Sequence, residues 1–300
     1  MSEKVHIPPI KIQGIKTKLV PLIRDYVLLE KDTIWVEPFM GSGVVGFNIQ
    51  PNKAIFGDTN PHIINFYNNI KEKHIDSYVV RNFLEIEGKK LENREDEYYY
   101  EVRERFNEQH SSLDFLFLNR ACFNGMIRFN KEYKFNVPYG HKPQRFSKAY
   151  ITKIVNQVKY VEQMIHSSDW EFVCQDFEDT IMVATSQKAF IYCDPPYIGR
   201  HVDYYDSWDI EEEERLKEIL MRTKNPFMLS TWDYNQYRKN EYIDTLWGFC
   251  KKINKEHFYF IGANETNRNQ MMEALLINYQ SNMNRNYYST VNKQLEFCIN

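Results

Sequence analysis

A strand, a glycine-rich turn, an apolar helix and a second strand follow one another between residues 34 and 58, and this unit constrains the fold most. Residues 34–36 have the character of a short strand, and the turn after them contains Gly41, Gly43 and Gly46 before apolar residues of helical spacing. The second strand, at residues 54–57, ends at Asp58. Because parallel strands need a crossover of this kind, the pattern predicts an α/β protein with a parallel sheet.

The same unit predicts a ligand of nucleotide type. Gly41 and Gly43 would let the backbone approach the ligand, and Asp58 at the end of the next strand suits ribose hydroxyls. The turn has no Lys-Ser/Thr pair or suitably placed third glycine for phosphate, and Glu37 beside it would repel a pyrophosphate and attract a cation. The pattern therefore favours an adenosine that carries a positive group, namely S-adenosylmethionine. Glu37 would serve the methionine end of that cofactor or nearby structure.

The apolar run at residues 189–193 stops at the sequence Asp194-Pro195-Pro196-Tyr197. A buried strand that ends this way presents a carboxylate, a carbonyl with no competing amide donor and a flat ring at the edge where open α/β sheets bind ligands. Asp194 and the Pro195 carbonyl could accept the two hydrogens of an exocyclic amino group while Tyr197 stacks on the ring that carries it. The motif indicates methyl transfer to that amine, with a proline-stiffened turn as the alternative.

Length and composition exclude several classes of protein. The chain has 300 residues, of which 43% are hydrophobic, so it can form one large or two ordinary domains. No apolar stretch approaches the ~18 residues that span a bilayer, and the N-terminus has no signal-like block, so we expect a cytoplasmic protein. Five widely separated cysteines argue against a disulfide framework or a zinc site. His201, beside the catalytic motif, has no companions for a metal.

Charge is distributed unevenly along the chain. The formal net charge is −3, but residues 119–148 contain seven basic residues and the single acid Glu132. Aromatic residues alternate with these cations, as in segments that contact phosphates and stack on bases. The segment therefore predicts contact with nucleic acid, and a solvated loop is the alternative. The low overall basicity favours a limited DNA contact, which suits a monomer.

The remaining pattern alternates helical and strand-like segments. Residues 61–71 and 77–110 have helical character, and Tyr98-Tyr99-Tyr100 within the latter favours packing over function. Further strands are expected at residues 170–174, 226–230, 257–261 and 273–277. Asp209, followed by four glutamates, predicts a helix start. The polar stretch 280–300 is expected to be partly mobile, although residues 295–299 could pack.

Five blocks, in order, resemble the Dam-like class of adenine-specific DNA methyltransferases. They are residues 11–16 (KIQGIK), the glycine turn at 37–43, the acid motif at 58–60, the long block at 119–130 closed by 135–140, and Asp194–Tyr197. Two departures stand out: Ile12 and Gly14-Ile15 replace a usual tryptophan and glycine pair, and Ser230-Thr231-Trp232 stands where many relatives have Ser-Asn. The cations and rings of residues 199–205 are read as a loop near the target strand or a packed surface loop.

The resemblance implies a role for each matched residue. The catalytic set would be Asp194, Pro195, Pro196 and Tyr197. The cofactor set would be Lys11, Gly14, Lys16, Glu37, Pro38, Phe39, Gly41, Gly43, Asp58, Asn60, Asp176, Phe177 and Asp194, with Asp176 and Phe177 at the adenine ring or Asp176 merely ending a strand. The DNA set would be Lys16, Arg120, Asn124, Arg128, Asn130, Lys134, Asn136, Pro138, Tyr139, Lys142, Arg145, Lys148 and Arg200, with Arg128 the best candidate for reading a guanine edge.

The resemblance also implies an architecture and an activity. A Rossmann-like S-adenosylmethionine-dependent methyltransferase sheet, residues 1–62 and 150–300, would carry an inserted, mainly helical target-recognition domain, residues 63–149. The expected reaction is methylation of N6 of an adenine flipped out of double-stranded DNA, within a restriction-modification system whose endonuclease forms no stable complex with the chain. The alternatives are an amino-methyltransferase acting on RNA or protein, and a catalytically silent DNA-binding subunit.

Overall fold

The computed structural model describes residues 4–198, 208–235, 238–260 and 268–280. These residues form a seven-stranded sheet in the order β3-β2-β1-β4-β5-β7-β6. Strands β1 to β5 are parallel, and β7 runs antiparallel to both β5 and β6. The predicted α/β class with a Rossmann-like sheet is confirmed. The strand bounds are β1 Ile34–Glu37, β2 Lys53–Asp58, β3 Asp169–Cys174, β4 Ala189–Cys193, β5 Phe227–Asn235, β6 Lys251–Phe260 and β7 Arg268–Ile277.

Helices cover the sheet and fill the long connection between β2 and β3. None of them, within the described ranges, has the length and apolar character needed to cross a bilayer. Asp209 accepts hydrogen bonds from the backbone of Glu211 and Glu212, so the predicted helix start at this acid is confirmed. The helices are α1 Val20–Tyr26, α2 Val44–Ile49, α3 Pro61–Lys71, α4 Ser77–Gln109, α5 Ser112–Ala121, α6 Lys148–Ser167, α7 Phe177–Met182, α8 Ile210–Thr223 and α9 Tyr242–Leu246.

The centre of the sheet is apolar on both faces, as expected for parallel strands covered by helices. All five residues of β4 are buried. Trp35 on β1 stacks with Phe190 and Tyr192 of β4, with ring centroids 5.6 and 5.7 Å apart. This packing fixes β1 beside β4. The strand order reverses between them, and ligands of open α/β sheets bind at the carboxyl side of such a reversal.

The helical segment between β2 and β3 shares one continuous apolar core with the sheet. That core extends from Trp35 and Phe56 on the strands to Leu116 on α5 and Val158 on α6. Within α4, Tyr98 and Tyr99 are buried, as the packing interpretation predicted, whereas 37% of Tyr100 is exposed. The domain boundaries at residues 63 and 149 stay a prediction.

Candidate active site

A cavity of about 1070 Å³ opens at the carboxyl ends of β1, β2 and β4. It is lined by the glycine turn after β1, by Asp58 at the end of β2 and by the motif after β4, because three neighbouring parallel strands end at the same edge. The tertiary structure thus brings together segments that lie far apart in the sequence. The predicted cofactor residues that line this cavity are Gly14, Lys16, Glu37, Pro38, Phe39, Gly41, Asp58, Asn60, Asp176, Phe177 and Asp194.

Asp58 organises the glycine turn. Its Oδ2 accepts a hydrogen bond from the Gly41 amide at 2.9 Å, and its Oδ1 accepts one from the Asn60 amide at 2.8 Å. Gly41 has φ 49° and Gly43 has φ 75°, a left-handed conformation that favours glycine. Burial raises the pKa of Asp58, although the two amide donors oppose the shift. Asn60 has a structural role here, since its side chain caps α3 through the amides of residues 62 and 63.

Glu37 is a buried carboxylate with structural partners. Its Oε2 accepts hydrogen bonds from Trp35 Nε1 at 2.8 Å and from the Gly46 amide at 3.0 Å. Burial raises the pKa of Glu37 to about 8. A Cβ on Gly46 would lie 2.6 Å from Glu37 Oε2 and 2.2 Å from the Phe56 ring, so only glycine fits there. Of the two uses that the sequence left open for Glu37, these contacts favour support of nearby structure.

Asp176 and Phe177 stand at the start of α7 on another wall of the cavity. Asp176 caps this helix through the Glu178 amide and binds Arg215 Nη2 with both oxygens, at 2.6 and 2.7 Å. The Phe177 ring lies 5.3 Å from Phe39 and 5.5 Å from Trp208, between centroids. The three rings form an aromatic wall suited to a flat ligand. Trp208 was missed by the sequence analysis, because a single tryptophan before a helix carries no pattern.

Asp194 lies at the end of β4 with two donors on one oxygen. Its Oδ1 accepts a hydrogen bond from Ser230 Oγ at 2.7 Å and lies 3.0 Å from Lys16 Nζ. The Lys16 ammonium lies 5.0 Å from the centre of the Tyr197 ring. Burial raises the pKa of Asp194, and the Lys16 charge opposes that shift. Ser230 thus supplies a polar contact at the strand where the sequence departs from the family pattern.

Lys11 and Gly43 do not lie on the cavity. The side chain of Lys11 packs against Gly125 of the basic segment, where an added Cβ would lie 2.8 Å from Lys11 Cδ. Burial together with the nearby Arg120 and Arg145 charges lowers the pKa of Lys11 to about 8. This position argues against the cofactor contact expected for Lys11. Gly43 instead is the N-cap residue directly before α2.

Three residues expected to contact DNA support the segment from within. Arg120 is buried and binds the Pro9 carbonyl and Gln157 Oε1, and burial lowers its pKa to about 10. Arg145 Nη1 donates to the carbonyls of Arg120 and Cys122 at 3.2 and 3.0 Å. Tyr139 is 2% exposed and stacks on Tyr99. The expectation of surface contacts is corrected for Arg120 and Tyr139, because internal hydrogen bonds hold Arg120 in the interior and ring packing holds Tyr139 there.

The remaining residues of the basic segment lie nearer the surface. Arg128 lines the cavity, and its Nε donates to Asn136 Oδ1 at 2.9 Å. Asn130 Oδ1 accepts from the amides of Glu132 and Lys134, each at 3.0 Å, so this side chain holds a turn. Arg200 and the loop of residues 199–205 lie outside the described residues, as does the stretch 281–300. The exposed residues of the predicted DNA set are Asn124, Lys134, Pro138, Lys142 and Lys148.

Comparison with known proteins decides the family. A family model described as D12 class N6 adenine-specific DNA methyltransferase matches residues 13–261, which include the glycine turn, Asp58, the basic segment and Asp194. The chain belongs to this family. The D12 membership confirms the expected resemblance, the fold class and the expected enzyme, an adenine-specific DNA methyltransferase.

Individual members of known function are similar to this chain over much of its length. It is 34% identical to a DNA adenine methylase of Serratia marcescens over 238 residues, which are 75% of this chain and 83% of the relative. It is 29% identical over 287 residues to the type II methyltransferase M.FokI of Planomicrobium okeanokoites. This alignment covers 90% of this chain but 42% of that relative. It is 26% identical over 298 residues to the type II methyltransferase M1.LlaDCHI of Lactococcus lactis subsp. cremoris, 93% of this chain and 98% of that one.

Proposed function

We propose that this chain transfers the methyl group of S-adenosylmethionine to N6 of an adenine that is flipped out of double-stranded DNA at a specific sequence. The observation that carries the proposal is the position of Asp194. This carboxylate ends a buried central strand beside Tyr197, on the same cavity as the Asp58-bound glycine turn. One cavity therefore combines acceptors for an amino group with a site for a nucleoside.

The lining of the cavity fits S-adenosylmethionine. The carboxylates of Asp58, Asp176 and Asp194 line the cavity and suit a cationic ligand. Asp58 would hold the ribose hydroxyls, and the wall of Phe39, Phe177 and Trp208 would hold the adenine ring. When bound, the sulfonium supplies an electrophilic methyl group and leaves as a neutral thioether.

The residues after β4 would prepare the target amine. An adenine inside a duplex is out of reach, so it must leave the stack, at a cost of a few kcal/mol that stacking on Tyr197 offsets. Asp194 and the Pro195 carbonyl would accept the two amino hydrogens, which localises the nitrogen lone pair towards the methyl group. No strong base is needed before transfer, because the proton leaves a nitrogen that is already cationic. Catalysis would depend on position and electrostatics.

The biological setting that we propose is a restriction-modification system. Two relatives are described as type II methyltransferases, which supports this setting. The chain would act as a monomer on duplex DNA, without a stable complex with the cognate endonuclease. Sedimentation of the purified chain, with and without an oligonucleotide, measures the oligomeric state. A dimer on DNA would contradict the monomer proposal.

Two experiments test the activity. Single-molecule sequencing of DNA from a host without adenine methylation, expressing this chain, should find N6-methyladenine in one sequence context. The Asp194→Ala variant expressed in parallel should leave the DNA unmodified. Purified chain with methyl-tritiated cofactor should label duplex DNA in preference to RNA or protein. Label on RNA or protein alone would favour the alternative substrates, and no label on any of them would favour a silent subunit.

A further inference from the structure

Among the residues that the structure describes, the side-chain contacts of the Asp194 carboxylate are made by one of its two oxygens. Ser230 Oγ donates to Asp194 Oδ1 at 2.7 Å, and Lys16 Nζ lies 3.0 Å from the same oxygen. Neither donor engages Oδ2. Ser230 is itself fixed, since it accepts a hydrogen bond from Tyr192 Oη at 3.2 Å on the neighbouring strand. A chain of two hydroxyl donors, Tyr192 and Ser230, therefore ends at Oδ1, and Lys16 contacts the same oxygen separately.

Lys16 is fixed from three directions. Its ammonium donates to the Gly14 carbonyl at 3.0 Å, pairs with Asp194 and lies over the Tyr197 ring. The side chain is only 6% exposed, whereas that of Asp194 is 22% exposed. A buried ammonium loses several kcal/mol of hydration, so it needs the paired carboxylate that it meets here. These contacts leave little of the ammonium for a phosphate, which was one of its two expected partners.

We propose that Lys16 and Ser230 are positioning residues for methyl transfer, which fix Asp194 in its ionised form with Oδ2 available to the target amino group. This inference rests on the proposed function, in which Asp194 accepts a hydrogen of the adenine N6 group. The lysine acts through the carboxylate and does not touch the reacting atoms. Gly14 and Lys16 also line the cofactor cavity, so the same segment connects the cofactor site to the catalytic acid.

The surrounding charges make the lysine necessary. Glu273 on β7 is 1% exposed, and its charge disfavours the ionised form of Asp194. Glu37 on β1 is close enough for the Asp194 charge to raise its pKa as well. Tyr192 and Tyr197 face the same group, and both have pKa values raised by burial and by Asp194. Among the groups that act on the pKa of Asp194, Lys16 supplies the positive charge.

The sign of the effect follows from this arrangement. Lys16 lowers the pKa of Asp194 against the opposing effects of burial and Glu273. Removal of the ammonium must therefore raise the pKa of Asp194 and reduce its ionised fraction at a given pH. If the ionised form is the active one, the acidic limb of the rate profile moves to higher pH.

The test compares the wild type with Lys16→Met, Lys16→Arg and Ser230→Ala, with Lys18→Met as the matched control on an exposed neighbour. Single-turnover methylation of a duplex oligonucleotide is measured from pH 5 to 9 at saturating cofactor, and cofactor affinity is measured by calorimetry. We expect Lys16→Met to lower the rate at least about tenfold at pH 7 and to move the acidic limb up by about one pH unit or more. Cofactor affinity should stay within about twofold.

The other variants separate the effect of the positive charge at residue 16 from the effect of losing a hydrogen-bond donor to Asp194. Lys16→Arg retains the cation and should recover much of the limb position, whereas Ser230→Ala should lower the rate with a smaller displacement of the limb. Lys18→Met should superimpose on the wild type. An unmoved limb in Lys16→Met, or a loss of cofactor affinity as large as the loss of rate, would overturn the proposal and assign Lys16 to scaffold or cofactor binding.

A measurement without substrate separates this inference from the proposed function. The carboxyl carbon of Asp194, assigned by its loss in Asp194→Asn, is titrated by ¹³C NMR in the wild type and in Lys16→Arg and Lys16→Met. A higher titration midpoint of Asp194 in Lys16→Met alone would support the charge interaction between Lys16 and Asp194, even if the wild type methylates no DNA. Equal midpoints in all three proteins would overturn the proposal that Lys16 keeps Asp194 ionised, even if methylation is robust. Should Lys16→Met fail to fold, a displaced midpoint in Ser230→Ala provides the equivalent comparison for the second donor.

Discussion

Asn119 binds the backbone of Lys11 with both ends of its side-chain amide. Oδ1 accepts from the Lys11 amide at 2.8 Å, and Nδ2 donates to the Lys11 carbonyl at 2.9 Å and to the Gly125 carbonyl at 3.3 Å. Asn119 is fully buried. The contact joins the N-terminal segment, which continues into the cofactor cavity, to the basic segment that would meet DNA. Asn119 therefore connects the two binding regions, as does the contact of Arg120 with the Pro9 carbonyl.

We expect Asn119→Ala to lower the free energy of unfolding by about 2 to 4 kcal/mol, because it leaves buried backbone groups of Lys11 without partners. Asn156→Ala is the control, since Asn156 is exposed on α6. Urea unfolding measures both. Equal stabilities of the two variants would mean that water replaces the lost contacts and that the connection carries little energy.

Asp194→Ala should slow single-turnover methylation at least about a hundredfold, equivalent to ~3 kcal/mol, because the acceptor that localises the amine lone pair is lost. Cofactor binding, measured by calorimetry, should stay nearly intact. The variant leaves Lys16 without its carboxylate, so its fold is checked by urea unfolding. A folded Asp194→Ala protein with wild-type rates would remove Asp194 from catalysis.

Asp58→Ala should weaken S-adenosylmethionine binding by about 1 to 3 kcal/mol. The change removes a proposed partner of the ribose hydroxyls and also releases the Gly41 amide that shapes the turn. Calorimetry gives the affinity, and Asp179→Ala, in the first turn of α7, serves as a control outside the cavity lining. An unchanged affinity in Asp58→Ala would exclude both contributions.

Arg128→Ala and Lys148→Ala should affect different properties, namely sequence discrimination and overall affinity for DNA. Arg128 lines the cavity, so its loss should reduce discrimination at one base position by ~1 to 3 kcal/mol. Lys148 is exposed at the start of α6, so its loss should weaken binding to all duplexes and make the salt dependence shallower by about one unit. Methylation rates on oligonucleotides that vary each base, at two salt concentrations, measure both. Equal losses on every substrate for Arg128→Ala would reduce it to a scaffold contact.

Glu37 should make the protein less stable as pH rises. Its pKa is about 8 in the fold, above the ordinary value of 4.5, so the unfolded chain releases the proton first. The free energy of unfolding should fall by about 2 to 4 kcal/mol through this group between pH 5 and 8, and then level off. Urea unfolding at both pH values should show a smaller fall in Glu37→Gln. The exposed Glu214→Gln should behave as wild type, and an identical fall in all three proteins would contradict the buried-acid explanation.

Much of the architecture could be predicted from the sequence, because the signals that define it are local. The apolar run of β4, the glycine turn after β1 and the acid Asp58 are each local signals of a few residues. The apolar run ends where β4 ends, and Asp58 is the last residue of β2. Parallel strands then bring those ends to one edge, so the meeting of Asp58 and Asp194 on one cavity follows from pattern and sheet geometry.

The tertiary structure alone decided which polar side chains face a ligand and which support the fold. Arg120 and Lys148 are indistinguishable as cations in a basic segment, yet Arg120 is buried and Lys148 is exposed. Likewise, the pairing of Lys16 with Asp194 joins positions far apart in the chain. Burial and partners depend on packing between distant elements, whereas strand ends and turns depend on neighbouring residues. The sequence alone therefore determined the sheet, its edge and the type of chemistry, and long-range packing determined the electrostatics of the carboxylate at the centre of the site.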